Sequence, residues 1–205
     1  MAEKVIPDIV VARLPIYLRT LQQLKAEGRN ITLSQELGEM LGISAAQIRK
    51  DLSLFGEFGK QGTGYNISYL IDRLCEILNV GKEWEVAVIG AGDIGSALVS
   101  YQGFANRGFR VNMIFDKNPE KIGTKLGGFF VKNSDDLVET IRSSEIKIAM
   151  LTVPAENAQE VAEKLVEAGV KAILNYAPIY LKLPSDIRVQ YIDPSVHLQH
   201  MTYYL

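Results

Sequence analysis

The sequence predicts an α/β chain in two parts, and three observations predict it. Residues 86–95, Val-Ala-Val-Ile-Gly-Ala-Gly-Asp-Ile-Gly, run as an apolar strand into G-x-G-x-x-G and then a helix, in the middle of the chain. After them, short apolar runs alternate with helical patterns, as in a parallel sheet with right-handed crossovers. Before them stands a stretch that reads as helices followed by a Gly-rich hairpin, too short and too helical for a substrate domain.

Composition bounds the function classes. With 205 residues, 47% hydrophobic and 22% charged, the chain has length for one large or two small domains. No run approaches the roughly 18 apolar residues of a membrane span, and Met1 to Asp8 lacks the layout of a signal peptide, so the expectation is a cytoplasmic protein with no membrane association. Cys75, the single cysteine, has no partner for a disulfide or a metal site and reads as a half-buried helix residue. The net charge is -2, and residues 1–79 carry nine basic and nine acidic side chains. A nucleic-acid reading therefore rests on where charges sit, not on their sum.

In chain order, Ile9, Leu14, Tyr17, Leu18, Leu21 and Leu24 recur at helical spacing from Pro7 to about Glu27, with Gly28 as the stop. A second helix is predicted to begin near Thr32, whose spacing to Gln35 fits a capping box, and to end before Gly42. After the turn Gly42-Ile43-Ser44, a third helix places Ile48, Leu52 and Phe55 inward. That leaves Ser44, Ala45, Ala46, Arg49, Lys50 and Ser53 on or beside the outward face. Small residues in the first turn let a helix approach base edges, and adjacent Arg and Lys suit guanine edges and phosphates. Any three-helix bundle also exposes basic residues, so the pattern alone leaves both readings open. The segment Phe58 to Ile67, with glycines at 59, 62 and 64, reads as a hairpin or as a linker. A helix resumes over 68–79 and brackets it, which favours the hairpin: the wing of a winged helix-turn-helix, with Lys60 at its tip suited to a minor groove. The domain so defined is residues 1–80.

Residues 81–193 read as a Rossmann domain. Gly90 serves the tight turn, Gly92 the close approach to a pyrophosphate and Gly95 helix packing, with Ala91, Asp93 and Ile94 completing the loop. A helix over 93–107 ends at Gly108, and the strand 111–116 closes on Asp116, placed to bond an adenosine ribose and to oppose a 2'-phosphate; Lys117 beside it softens that preference for NAD over NADP. Strands over 146–153, 171–176 and 189–193 and a helix over 156–168 follow. Thr152, Val153 and Pro154 end one strand, and Asn175, Tyr176, Ala177 and Pro178 end the next. Either these line the nicotinamide half of the pocket or the prolines merely stop strands. Asp93 suits the helix dipole but opposes a pyrophosphate. The only histidines, His197 and His200, lie in a final helix with no chain after it for a substrate domain, so the expectation is a sensor without a catalytic substrate. The alternative is a small NAD-dependent oxidoreductase, or a cofactor-binding subunit, whose helical N-terminus serves dimerisation.

Taken together the chain resembles the Rex family of redox-sensing transcriptional repressors, nearly end to end. The likeness rests on Arg13 to Arg19, on Gln47 to Ser53 with Gly62-Thr63-Gly64-Tyr65, on Gly90 to Gly95 with Tyr101 and Gly103-Phe104, on Leu151 to Pro154, on Leu174 to Pro178, and on Ile192-Asp193. The resemblance implies a homodimer whose winged helices bind a palindromic double-stranded DNA operator and whose Rossmann domains sense NADH. NADH would close the dimer and release DNA, whereas NAD+ would leave it able to bind. It further implies that the helix over 194–205 is exchanged between subunits and that Arg19, Tyr101 and Asp193 switch partners between the two states. Where some members carry a basic residue in the glycine loop, this chain has Asp93. The bottom-up chemistry points the same way: an apolar pocket of Val153, Pro154, Ala177 and Pro178 disfavours the cationic oxidised nicotinamide over the neutral reduced ring.

Overall fold

The structure, a computed structural model, describes residues 6–60 and 63–205. Contacts divide the chain into two compact units, Met1–Lys82 and Glu83–Leu205.

In the first unit, two helices, α1 (Asp8–Val11) and α2 (Leu14–Ala26), replace the single one expected over 7–27. Pro15 is tolerated in the first turn of α2, but in a continuous helix its ring would collide with the Val11 carbonyl, so the chain breaks between them. Helix α2 buries Leu14, Tyr17, Leu21 and Leu24 and closes at Gly28, whose φ of +81° lets the Arg29 N–H reach the Leu24 carbonyl. A short strand, β1 (Ile31–Thr32), precedes α3 (Ser34–Leu41). Thr32 does not cap α3 as its spacing suggested. It is buried in β1, its hydroxyl donates to Glu36 at 2.7 Å, and Leu33 occupies the cap position. Helix α4 (Ala45–Ser53) does begin at Ser44, whose Oγ accepts the Gln47 N–H at 3.2 Å. The turn from α3 to α4 depends on glycine at a close crossing: a Cβ on Gly38 would stand 2.4 Å from the Ile43 carbonyl oxygen.

The hairpin β2 (Gly59–Lys60) and β3 (Gly64–Asn66) is antiparallel, and β1 pairs with the other edge of β3, giving the order β1-β3-β2. Gln61 and Gly62, within the expected wing, lie outside the described residues. Helix α5 (Ile67–Ile77), capped by Asn66, buries Ile67, Leu70 and Leu74 against α2. These side chains join Leu14, Tyr17, Leu37, Ile48 and Leu52 in one core, each contributing about 1.5–3 kcal/mol of burial.

The second unit is built on β4 (Trp84–Ile89), α6 (Asp93–Ser100), β5 (Phe109–Asp116), β6 (Lys125–Leu126), β7 (Phe129–Asn133), α7 (Leu137–Ser144), β8 (Ile148–Leu151), α8 (Ala155–Glu167), β9 (Ala172–Asn175), β10 (Arg188–Tyr191) and α9 (Pro194–Thr202). The sheet order is β10-β9-β8-β4-β5-β7-β6, parallel throughout except for β6 on β7. This is the doubly wound order of a Rossmann domain with one antiparallel edge strand added. Strand β4 sits inside the sheet with both faces covered. Ala87 and Ile89 enter one core, Val86 and Val88 the other, as the two-residue period of a strand requires.

The helix expected over 93–107 is α6 followed, after an extended Tyr101, by a 3-10 turn over Gln102–Arg107. The segment after Asp116 carries a hairpin and a helix, β6, β7 and α7, that the sequence reading passed over. Its signal was Gly127-Gly128, both at positive φ, between Leu126 and Phe129.

Candidate functional site

In the second unit the three loop glycines do distinct work. Gly90 has a φ of +106°, and a Cβ there would stand 2.8 Å from the Thr152 carbonyl oxygen. Gly95 lets α6 sit on the end of β4, since its Cβ would meet the Gly90 carbonyl oxygen at 1.8 Å. Gly92 has nothing within 4 Å on its Cβ side and borders open space. That space is a cleft of about 720 Å³, at the carboxyl ends of the strands where the order reverses between β4 and β8.

Of the residues expected at a cofactor, Gly90, Gly92, Asp93, Ile94, Asp116, Lys117, Thr152, Val153, Pro154, Tyr176, Ala177 and Pro178 line this cleft. Ala91, Gly95 and Asn175 do not, and each has a structural task. The Ala91 N–H donates to Asp116, Gly95 seats α6, and Asn175 is buried with its side chain spent on the loop after β9. Its Nδ2 donates to the Ala177 and Ile179 carbonyls and its Oδ1 accepts the Ala177 N–H. Asn175 thus shapes the wall that Ala177 and Pro178 present instead of facing a ligand. Thr152 combines both jobs: its Oγ1 lies 2.9 Å from the carbonyls of Ile89 and of Gly90, tying β8 to the glycine turn.

Asp116 is also more engaged than a ribose acceptor needs to be. Its Oδ2 accepts the Ala91 N–H at 2.7 Å and its Oδ1 the Asn118 N–H at 2.8 Å. Lys121 donates to the Ala91 carbonyl at 3.0 Å, and Lys117 donates to Asn157. Opposite, burial pushes the Tyr176 phenol up and keeps it neutral. Asp93, the first residue of α6, is exposed and lines the cleft. The first turn of α6 therefore offers the cleft free amides suited to an anion, whose approach the Asp93 carboxylate opposes.

In the first unit, Ser44, Ala46, Arg49, Lys50 and Ser53 are exposed along α4, and Ala45 is half-buried. Arg49 donates to the Ser34 hydroxyl at 2.9 Å, which holds its guanidinium across the start of α3, and the Ser53 hydroxyl folds back on the Lys50 carbonyl. Lys60 ends β2, paired with Gly64.

The sequence reading gave no role to Asp51. It is fully buried on α4, accepting from Arg13 Nε at 2.6 Å and Nη2 at 2.8 Å, from the Tyr17 hydroxyl at 2.6 Å and from Gln47 Nε2 at 2.7 Å. Burial pushes its carboxyl up, but the bonds from Arg13, Tyr17 and Gln47 outweigh burial and leave it below the ordinary value. Burial and the neighbouring carboxylate together raise the Tyr17 phenol well above its usual range. The cluster locks α4 to α2, so the outward face of α4 is presented at a fixed angle.

The residues assigned to a switch fall in both units. Arg19 is exposed on α2 of the first. In the second, the Tyr101 hydroxyl accepts from Arg107 at 3.0 Å and the ring meets Phe104 edge-on, while Asp193 caps α9 through Ser195. Helix α9 buries none of its residues, and Val196, Leu198 and Met201 are each more than half exposed.

Comparison with known proteins covers both units. The family described as "Putative DNA-binding protein N-terminus" matches residues 5–53, and the one described as "CoA binding domain" matches residues 81–179. A redox-sensing transcriptional repressor Rex of Roseiflexus sp. (strain RS-1) is 50% identical over 199 residues, 97% of this chain and 90% of that protein. Among solved structures, RSP in complex with beta-NAD+ and operator DNA is similar with a TM-score of 0.92 at 38% identity, covering 98% of this chain and 93% of that one. RSP in complex with beta-NADH is similar with a TM-score of 0.90 at 36% identity, covering 98% and 95%.

Proposed function

The chain belongs to the Rex family of redox-sensing transcriptional repressors, and we propose that it binds operator DNA when NADH is scarce and releases it when NADH occupies the cleft. The observation that carries this reading is the likeness over nearly the whole chain to RSP, a Rex-family repressor whose structures hold NADH, and NAD+ with operator DNA. The geometry supports it at both ends. Arg49 and Lys50 stand on the outward face of α4 with Ser44, Ala45, Ala46 and Ser53 along it, a set suited to base edges and phosphates. The Lys60 hairpin follows as the wing.

At the cleft, the α6 amides and Gly92 address a pyrophosphate and Asp116 a ribose. Coenzyme A shares the adenosine diphosphate half of NAD, and it is that half that the loop recognises. The apolar ends of β8 and β9, Val153, Pro154, Ala177 and Pro178, take the neutral reduced ring in preference to the cation. The residues present fit NAD(H) and supply binding and discrimination, with no substrate to turn over.

The remaining assignments belong to the same reading. Residues 1–80 bind DNA, 81–193 bind the cofactor, and 194–205 form a helix exchanged within a homodimer in the cytoplasm. The exchange gives the exposed Val196, Leu198 and Met201 a surface to cover them. Arg19, Tyr101 and Asp193 trade partners between the two states. The test is an anisotropy titration of a palindromic duplex at zero and saturating NADH. NADH should weaken operator binding, and operator should weaken NADH binding by the same factor. Equal operator affinity in both conditions would return the cleft to the oxidoreductase alternative.

A further inference from the structure

The adenosine end of the cleft carries a charge arrangement that the glycine motif does not call for. Asp116 Oδ2 accepts the Ala91 N–H, Lys121 Nζ donates to the Ala91 carbonyl, and Lys121 Nζ lies 3.8 Å from Asp116 Oδ2. The three groups close a ring in which both backbone polar atoms of one glycine-loop residue, Ala91, are held and the carboxylate has an ammonium beside it. The Asp116 side chain is 12% exposed and that of Lys121 41%, so the cation is the more solvent-facing member of the pair.

An isolated carboxylate at the end of β5 would oppose a ribose 2'-phosphate, which carries close to two negative charges, and would thereby exclude NADPH. Lys121 stands against that field. At this partial exposure a unit charge within a few ångströms is felt as about a threefold to tenfold change in affinity for an anion. We propose that Lys121 is a specificity-determining residue of the cleft: by offsetting the Asp116 charge it reduces the discrimination between NADH and NADPH. The proposal rests on the NAD(H) reading of the site. Holding the Ala91 carbonyl is a separate, structural contribution that serves both dinucleotides alike, because both place the same pyrophosphate at the same loop.

That separation sets the experiment. Dissociation constants for NADH and for NADPH are measured by calorimetry on the full chain and on Lys121→Gln, Lys121→Met and Lys121→Arg. Lys121→Gln removes the charge while keeping a donor for the Ala91 carbonyl, and Lys121→Met removes both. The ratio of the NADPH constant to the NADH constant should rise about threefold to tenfold in the Gln and Met variants, stay within about twofold in Lys121→Arg, and change less in roughly 0.5 M salt, where exposed charges are screened. A Gln variant that weakens both cofactors equally, or leaves the ratio unchanged, overturns the proposal and leaves Lys121 a structural residue. So does a parent protein that shows no NADPH binding at a thousand times its NADH constant, since there is then no relief for Lys121 to give. A parent that binds neither dinucleotide overturns the reading of the cleft itself, and the proposal with it.

Discussion

Replacing Asp51 by alanine removes the carboxylate on which Arg13, Tyr17 and Gln47 converge. Taking one partner from a buried ion pair costs about 3–5 kcal/mol, because the other is left desolvated without compensation. Arg13 keeps 20% of its side-chain surface exposed and can regain water, which places the loss near the lower end, about 3 kcal/mol. The first unit, Met1–Lys82, has a total stability of about 4–12 kcal/mol at the usual value per residue. The substitution therefore removes a quarter or more of it, and the melting point of that unit should fall by about 12–24 °C. Scanning calorimetry reads the transition directly, and the fluorescence of Trp84, the single tryptophan and a residue of β4, reports the second unit separately. The Trp84 transition should stay in place. If the first-unit transition also stays within about 2 °C of the parent, the converging bonds make no net contribution and the account of how α4 is held is wrong.

The same carboxylate gives a pH dependence with a definite sign. The Asp51 carboxyl is held below its unfolded value, so the stability it confers is present above that unfolded value, about 3.9, and is lost as pH falls through the lower folded one. In acid the parent should lose first-unit stability more steeply than Asp51→Asn, which has no proton to gain. Parallel acid profiles for the two proteins, followed by calorimetry, would contradict this.

Arg49→Ala or Lys50→Ala should weaken operator binding by roughly 1–3 kcal/mol and leave NADH affinity unchanged, as measured by anisotropy and calorimetry on one preparation. Gly95→Ala places a Cβ against the Gly90 carbonyl oxygen, at 1.8 Å before relaxation. It should abolish NADH binding and lower the Trp84 transition, while calorimetry finds the first unit unmoved. Val196→Asp together with Leu198→Asp, both exposed on α9, should shift the proposed dimer to monomer in sedimentation velocity. An unchanged dimer would remove α9 from the subunit contact.

Much of the second unit was legible because its signals are local. A buried strand entering G-x-G-x-x-G specifies turn, close approach and packing within ten residues; Gly90 and Gly95 meet the turn and packing constraints, and Gly92 borders the open cleft. The hairpin at Gly127-Gly128 and helix α7 are just as local, but β6 spans only two residues and offers no strand period to read. The first unit hid more. Thr32 sits at the correct spacing for a cap, yet pairing of β1 with β3, a contact made across the unit, drew it into a strand. Asn175 ends its strand where a ligand contact was expected, and only the path of the following loop shows that its amide is consumed.

Asp51 left a trace that could have been read. It lies three residues after Ile48 and four before Phe55, so the helical period puts it on the stripe that faces inward. A carboxylate there must either break the helix pattern or meet a buried cation and donors from another element. The partners come from the start of α2, where Arg13 and Tyr17 are spaced four apart so that both reach the same side. Arg19, assigned to the switch, rides on that helix two residues beyond Tyr17. Under the proposed switch, a change of partner at Arg19 would act on the helix that the Asp51 cluster ties to α4, and that cluster would carry the change to Arg49 and Lys50. Operator affinity in Asp51→Asn should accordingly lose part of its dependence on NADH even where the cofactor still binds. A full NADH response in that variant would place the connection elsewhere.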